Sequence, residues 1–195
     1  MAKAIEFFYD LSSPYSYLAA TQLEAIAARH GATVAWKPMV LFAVFKASGN
    51  NMPAAVAAKA AFMMKDLPRW SQQYGVPFQM NSRFPINAIK PMRLCLYGDE
   101  QGKAGPVTLA AFRATWAEDR DVTSDETLRA IAKAGGIDPE QALAAIERPE
   151  IKERLKSNTD EAITRGVFGA PALFVGEELF WGNDRLHHVE AALAR

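Results

Sequence analysis

Residues 9–18 read Tyr9-Asp10-Leu11-Ser12-Ser13-Pro14-Tyr15-Ser16-Tyr17-Leu18. They join a short apolar run, Ile5-Glu6-Phe7-Phe8-Tyr9, to a stretch with helical spacing. The run has the length and composition of a buried strand. Pro14 suits the first position of a helix, where a missing N–H costs nothing, so Ser13 stands at the N-cap. Tyr15, Leu18, Ala19, Leu23 and Ile26 repeat at helical intervals to about Ala28, and Gly31 ends that helix. Ala32 to Pro38 follows as a second strand, with Val34 and Trp36 on one face. Strand, helix and strand in this order predict two parallel neighbours joined by a crossover helix.

Beyond this opening the pattern changes. From about Pro53 to Arg165 the spacing is almost entirely helical. Helices are expected over Pro53–Lys65 and over Asp66–Tyr74, the second with Pro68 in its first turn. A loop from Gly75 to Pro85 precedes helices near 87–98 and 104–118. Thr123-Ser124-Asp125-Glu126 reads as a capping box, and Asp138-Pro139-Glu140-Gln141 as another helix start. A helix from about Glu150 to Arg165 is stopped by Gly166. Strand signals return at Ala172-Leu173-Phe174-Val175 and Glu178-Leu179-Phe180-Trp181. Gly176-Glu177 between them suits a type II′ hairpin turn. Asp184 to Ala194 closes the chain as a helix. With the helical block removed, the order is βαβ-α-ββα, that of thioredoxin. The expected fold class is therefore α/β, a thioredoxin-like fold with an inserted all-helical domain. The thioredoxin-like part takes residues 1–42 and 160–195, and the insertion 43–159.

Composition narrows the function. Of the 195 residues half are apolar, and 22 basic side chains balance 22 acidic ones. The basic residues are scattered, which points away from nucleic acid or an anionic membrane as partner. The opening Met1-Ala2-Lys3-Ala4-Ile5-Glu6 has no apolar stretch behind its charge, so no secretory leader is expected. No segment approaches the ~20 apolar residues of a membrane span. The expected setting is reducing and cytoplasmic. The single cysteine, Cys95, excludes an internal disulfide and lies in an apolar helical stretch, where a buried, inert thiol is expected. No metal site is expected.

Three segments carry chemistry if the fold is right. The first, Ser13-Pro14-Tyr15-Ser16, opens a helix where thioredoxin folds keep a Cys-x-x-Cys pair. A helix N-terminus favours an anion such as a thiolate. Both cysteine positions are serine here, so no disulfide forms, but a hydroxyl can donate to a sulfur brought by a ligand. The plain alternative makes Ser13 an N-cap and Ser16 a surface helix residue. The second segment is Val167-Phe168-Gly169-Ala170-Pro171. Pro171 is either an ordinary trans turn proline or the cis-proline of a thioredoxin fold. In the second case Ala170 offers its backbone to a peptide-like ligand. The third is Trp181-Gly182-Asn183-Asp184-Arg185-Leu186. Asn183 or Asp184 either caps the last helix, or the helix start grips a carboxylate while Asp184 pairs with an ammonium.

Taken together, residues 9–18, Phe168-Gly169-Ala170-Pro171 and Trp181-Gly182-Asn183-Asp184-Arg185 resemble the 2-hydroxychromene-2-carboxylate isomerases and the kappa-class glutathione transferases. The resemblance runs over nearly the whole chain. It implies glutathione as cofactor, with Ser13 at the glutathione sulfur. Ala170 and Pro171 meet the peptide backbone, and Trp181, Gly182, Asn183 and Asp184 the γ-glutamyl end. Asn50 and Lys59 stand where kappa-class enzymes use an Asn and a Lys of the insertion. It further implies a small electrophilic, aromatic substrate, a role in aromatic catabolism, and a homodimer. The substrate half departs from the pattern. Where the isomerases hold their aromatic acid with a lysine, an Asn-Arg pair and a tyrosine, this chain has Phe45 (or Lys46 with a one-residue shift), Ala55-Val56 and Met80. Arg83, Lys90 and Arg93 are either partners for a substrate carboxylate or surface charges.

The implied activity is reversible thiolate addition to an unsaturated carbon, which isomerises a double bond and returns glutathione. A free thiol has a pKa of ~8.5. One hydrogen bond to a charged group contributes about 1.5–3 kcal/mol, or about one to two pKa units, so Ser13 and the helix start suffice to hold a thiolate. The alternatives are a kappa-type transferase or peroxidase and a non-catalytic glutathione-binding protein. The isomerase reading is preferred on Trp181 to Arg185, with weak activity on hydroxychromene carboxylate itself.

Overall fold

The computed structural model describes residues 3–195, so Met1 and Ala2 of the opening segment read for a leader lie outside the described residues. Among the described residues, four strands form one mixed sheet in the order β2-β1-β3-β4. β1 (Ala4–Tyr9) and β2 (Thr33–Pro38) are parallel, with Tyr9 level with Pro38, and α1 (Pro14–Arg29) is the crossover. β3 (Ala172–Val175) runs antiparallel along the other side of β1, Ala172 opposite Phe8. β4 (Glu178–Trp181) completes the hairpin at the edge. Gly176 sits at φ 59 while Glu177 is not left-handed, which is the type II′ geometry the sequence predicts. This is the thioredoxin-like sheet expected from the element order.

Between β2 and β3 the chain is helical: α2 (Leu41–Ser48), α3 (Ala57–Tyr74), α4 (Ile89–Glu100), α5 (Ala104–Trp116), α6 (Asp125–Ala134), α7 (Pro139–Ala145) and α8 (Pro149–Thr164). The closing helix α9 (Leu186–Leu193) starts after a 3-10 turn at Asn183–Arg185, two residues later than expected. Alternation along β1 directs Ile5, Phe7 and Tyr9 to one face of the sheet and Glu6 and Phe8 to the other. The first face joins one continuous apolar cluster that reaches from Leu18 and Leu23 of α1 through Trp116 of α5 to Leu128 of α6. The sheet and the helical block therefore share a core. The second face buries Phe8, Met39, Val44, Ala162 and Phe174 under α2 and α8. Its margin is sealed by ion pairs of Lys37 with Glu6 (2.5 Å) and Glu161 (2.7 Å), and of Arg165 with Glu6 (3.0 Å) and Glu161 (3.1 Å).

Three local readings need correction. Residues 57–74 form one helix through Pro68, not two. Met63 and Leu67 are buried on its inner side, whereas Met64 and Pro68 are exposed. The carbonyl that Pro68 leaves unpaired thus lies on the solvated side, and packing carries the helix across it. The cap of α6 is Ser124, which accepts from the Thr127 N–H at 3.2 Å. Thr123 is already engaged, its N–H and hydroxyl both bonded to Asp121 Oδ1. Finally, α2 has no start signal in its own sequence, because its capping group comes from elsewhere: Val40 provides no side-chain cap, and the Leu41 N–H donates to Asp10 Oδ2 at 2.9 Å.

That carboxylate is buried, at 5 % exposure, and its other oxygen accepts from the Ser12 N–H at 2.8 Å. It ties the turn after β1 to the first turn of α2. Burial raises the Asp10 pKa above its ordinary 3.8, against the pull of the amides. The folded state then binds a proton more readily than the unfolded chain, so this contribution to stability is complete below 3.8 and is lost as pH rises through the raised value. Asp10→Ala, which orphans two amide donors, is expected to lower the unfolding free energy by about 2 kcal/mol or more. It should also remove this pH-dependent component. Urea unfolding of both proteins from pH 4 to 8 checks size and slope together.

Candidate active site

The three segments singled out above meet at one end of the sheet, and the register shows how. β1 ends at Tyr9, and the Ser13 N–H folds back onto the Asp10 carbonyl at 2.9 Å. Ala172 lies opposite Phe8, so Pro171 is level with the end of β1. Ala172 also pairs with Trp181, and the Gly182 N–H donates to the Pro171 carbonyl at 3.0 Å. The turn before α1, the loop before β3 and the turn after β4 thus share one rim.

Ser13 is the N-cap of α1 and nearly buried, at 6 % exposure; its Oγ accepts from the Ser16 N–H at 3.2 Å. As an acceptor it keeps its own proton, and among the described residues nothing takes that proton. Capping the helix and donating to a ligand are therefore compatible, not competing, roles. The first turn of α1 carries no acidic residue of its own. Ser16 is not a surface residue as read above. It is fully buried, and its Oγ has no hydrogen-bond partner.

Pro171 is buried and follows a cis peptide bond from Ala170, which is half-buried. Asn50, just past α2, donates from Nδ2 to the Phe168 carbonyl at 2.9 Å and so joins the rim. Lys59 lies exposed in the first turn of α3, with no ion pair among the described residues and no contact that links it to Ser13. Trp181 is 39 % exposed, packed against Phe168 with ring centroids 5.1 Å apart. Gly182 adopts φ 98, and a Cβ there would run into the Asp184 carboxylate, so only glycine fits this turn. Neither Asn183 nor Asp184 caps the closing helix with its side chain. Asp184 is exposed and pairs with Arg185 at 2.8 Å, while Asn183 is buried at 3 % exposure with its Nδ2 unpartnered.

Sequence reading missed the polar links that helix α3 makes to this rim. The Tyr15 hydroxyl donates to Asp66 Oδ2 at 3.0 Å, and the Tyr74 hydroxyl to the Asn183 carbonyl at 2.7 Å. Burial, then the nearby acids Asp66 and Asp184, push the Tyr15 hydroxyl far above its usual pKa. Burial and Asp184 raise that of Tyr74 also, against the hydrogen bond it makes to Asn183. These contacts span 51 and 109 residues, and no local motif announces them.

On the substrate side, Met80 is partly buried against the main core and Lys46 is exposed. Arg83 faces Asp119 at 3.8 Å and Asp121 at 3.9 Å, and Lys90 faces Asp125 at 3.6 Å, so both are surface charges engaged with acids. Arg93, on α4, has a buried Nε without a partner among the described residues. The exposed apolar side chains Phe42, Val56, Phe62 and Met64 sit on and between α2 and α3, the elements beside the rim.

Residues 4–194 match the family described as DSBA-like thioredoxin domain. The chain is 33 % identical to a 2-hydroxychromene-2-carboxylate isomerase of Sphingobium xenophagum, over 99 % of each chain. It is 29 % identical to glutathione S-transferase kappa 1 of Caenorhabditis elegans, over 94 % of this chain and 87 % of the relative. A solved structure of a 2-hydroxychromene-2-carboxylate isomerase superposes with a TM-score of 0.89 at 31 % identity, covering 98 % of this chain and 95 % of that one. Among the described residues no helix is long and apolar enough to cross a membrane, and no group of His, Cys, Asp and Glu is placed to hold a metal.

Cys95 takes no part in the rim. It is buried at 2 % exposure, and burial pushes its thiol up to about 11. Native protein at pH 8 is expected to leave it unmodified by a thiol-specific reagent, with full labelling only after denaturation; fast labelling of the folded protein would contradict its burial.

Proposed function

We propose a reaction for this chain on the premise of its family: it belongs to the DSBA-like thioredoxin family and to the family of the 2-hydroxychromene-2-carboxylate isomerases. It is an isomerase that uses glutathione as cofactor and acts on a small unsaturated aromatic or carbonyl compound. The observation that carries this reading is Ser13. Its hydroxyl is fixed by the Ser16 N–H, with its own proton free, at the start of a helix whose first turn carries no acid.

The residues of the rim fit the cofactor. The orphaned Nδ2 of buried Asn183 is a donor in need of an acceptor, which a carboxylate provides. Asp184 is exposed beside it and suits an ammonium. Ala170, before cis Pro171, has backbone groups at the start of β3 that suit pairing with an extended peptide. Asn50 borders the same loop, and Lys59 on α3 would reach an outer carboxylate. Bound glutathione would supply a thiolate able to add to an unsaturated carbon and leave again. Ser13 would donate a hydrogen bond to that sulfur, keeping its own proton, and with the helix end would favour the thiolate. The inserted helices, residues 43–159, provide the substrate half. Phe42, Val56, Phe62 and Met64 suit an apolar partner, and the engagement of Arg83 and Lys90 with acids removes two candidate carboxylate ligands. The substrate is therefore less polar than hydroxychromene carboxylate. The setting is cytoplasmic, where reduced glutathione is abundant, and the assembly is a homodimer.

Ser13→Ala is expected to keep most glutathione affinity, raise the bound thiol's pKa by about one to two units, and slow turnover. Ultraviolet titration of the bound thiolate reads the shift, and an unchanged pKa would remove Ser13 from the chemistry. Progress curves with free glutathione followed in parallel test the reaction itself. Product formed at constant glutathione is the expected result, and stoichiometric consumption would make the chain a transferase. Turnover of hydroxychromene carboxylate should be measurable but weak, and absent without glutathione.

A further inference from the structure

At the turn Gly182-Asn183-Asp184, Arg185 bonds the Trp181 carbonyl at 3.0 Å and the Asp184 carboxylate at 2.8 Å, and neither bond reaches Asn183. Among the described residues the Asn183 amide is buried without a partner for Nδ2, and the Asp184 carboxylate bonds only its neighbour Arg185. From the sheet, the Gly182 N–H reaches the Pro171 carbonyl. From the helical block, the turn is met by the Tyr74 hydroxyl, which donates to the Asn183 carbonyl at 2.7 Å. Tyr74 is well placed to hold it. It is the last residue of α3, and its ring packs on Trp70 one turn earlier, with centroids 5.3 Å apart. The same helix is pinned to α1 by Asp66 and Tyr15, and to the core by Met63 and Leu67.

We infer that Tyr74 is a positioning residue for the head-group end of the cofactor, acting through Asn183 and touching no reacting atom. Its hydroxyl fixes the carbonyl of Asn183, and with it the direction in which the Asn183 amide and the Asp184 carboxylate face the ligand. A turn ordered before binding costs less to engage, so the hydrogen bond is returned as affinity. This inference rests on the reading that the turn takes the γ-glutamyl end.

The test is Tyr74→Phe, which keeps the ring and removes the donor. Calorimetry with glutathione and with S-methylglutathione, which has the head group but no thiol, should show both dissociation constants raised equally. The expected rise is about 2- to 10-fold, the worth of one neutral hydrogen bond. The bound thiolate's pKa and the turnover at saturating glutathione should not move, and backbone amides at 182–184 should exchange faster while those at 13–16 do not. Trp70→Leu, which removes the ring stacked on Tyr74, serves as a second variant and should give the same pattern. Unchanged affinity for both ligands overturns the inference and leaves the cofactor reading intact. So does an accompanying shift of the thiolate pKa, which would mean general loosening of the rim. Failure of the unmodified protein to bind either ligand overturns the cofactor reading and this inference with it.

Discussion

A single buried carboxylate holds the working end of this molecule together. Asp10 receives the Ser12 N–H on one oxygen and the Leu41 N–H on the other, and so joins the turn that presents Ser13 to the start of α2. Both donors lie just outside or at the start of a helix, where secondary structure leaves them unpaired, and both bonds are partly buried. An acid in that position is costly to ionise and still better than two orphaned amides. The Ser13 N–H bonds the backbone carbonyl of Asp10 itself. The start of α2 is tied to the carboxylate, and the end of that helix brings Asn50 to the Phe168 carbonyl. The rim is thus assembled from the loop outward, and the helix start is one consequence of it.

The sheet was legible because its signals are local. A run of apolar residues, a proline at a helix start and a glycine first in a two-residue turn each act within a few positions, and the structure places β1, α1 and the β3–β4 hairpin where those signals stand. What was not legible depends on distant partners. Nothing near Leu41 announces α2, since its cap lies 31 residues earlier. Pro68 signals a break that packing of Met63 and Leu67 overrides. Thr123 has the chemistry of a cap and is diverted to Asp121. The same division holds at the rim. Ser13, Pro171 and Gly182 stand in short motifs that local sequence and a family resemblance pick out, whereas the tyrosine links from α3 bridge 51 and 109 residues and have no local motif.

Two readings of Ser13 that look like rivals in the sequence are compatible in the structure, which shows the cap and leaves the proton unused among the described residues. A capping hydroxyl uses a lone pair; a hydroxyl that supports a sulfur uses its proton. The cap therefore pre-orients the group, fixing Oγ by the Ser16 N–H so that the remaining O–H has few directions left. Ser16 is different. Placed where a second cysteine stands in a dithiol enzyme, it is sealed from solvent with no partner, and the structure gives no account of why a hydroxyl is kept there.

The distribution of sulfur has a bearing on durability. The chain owns one thiol, buried and held protonated by its surroundings, and no thiolate at the helix start. Enzymes that keep a reactive cysteine there expose it to stepwise oxidation, and its higher oxides are permanent lesions. On the proposed reading the nucleophilic sulfur is borrowed from the cofactor. An oxidant that struck it would damage an atom that leaves with a small molecule, and the next one would arrive intact.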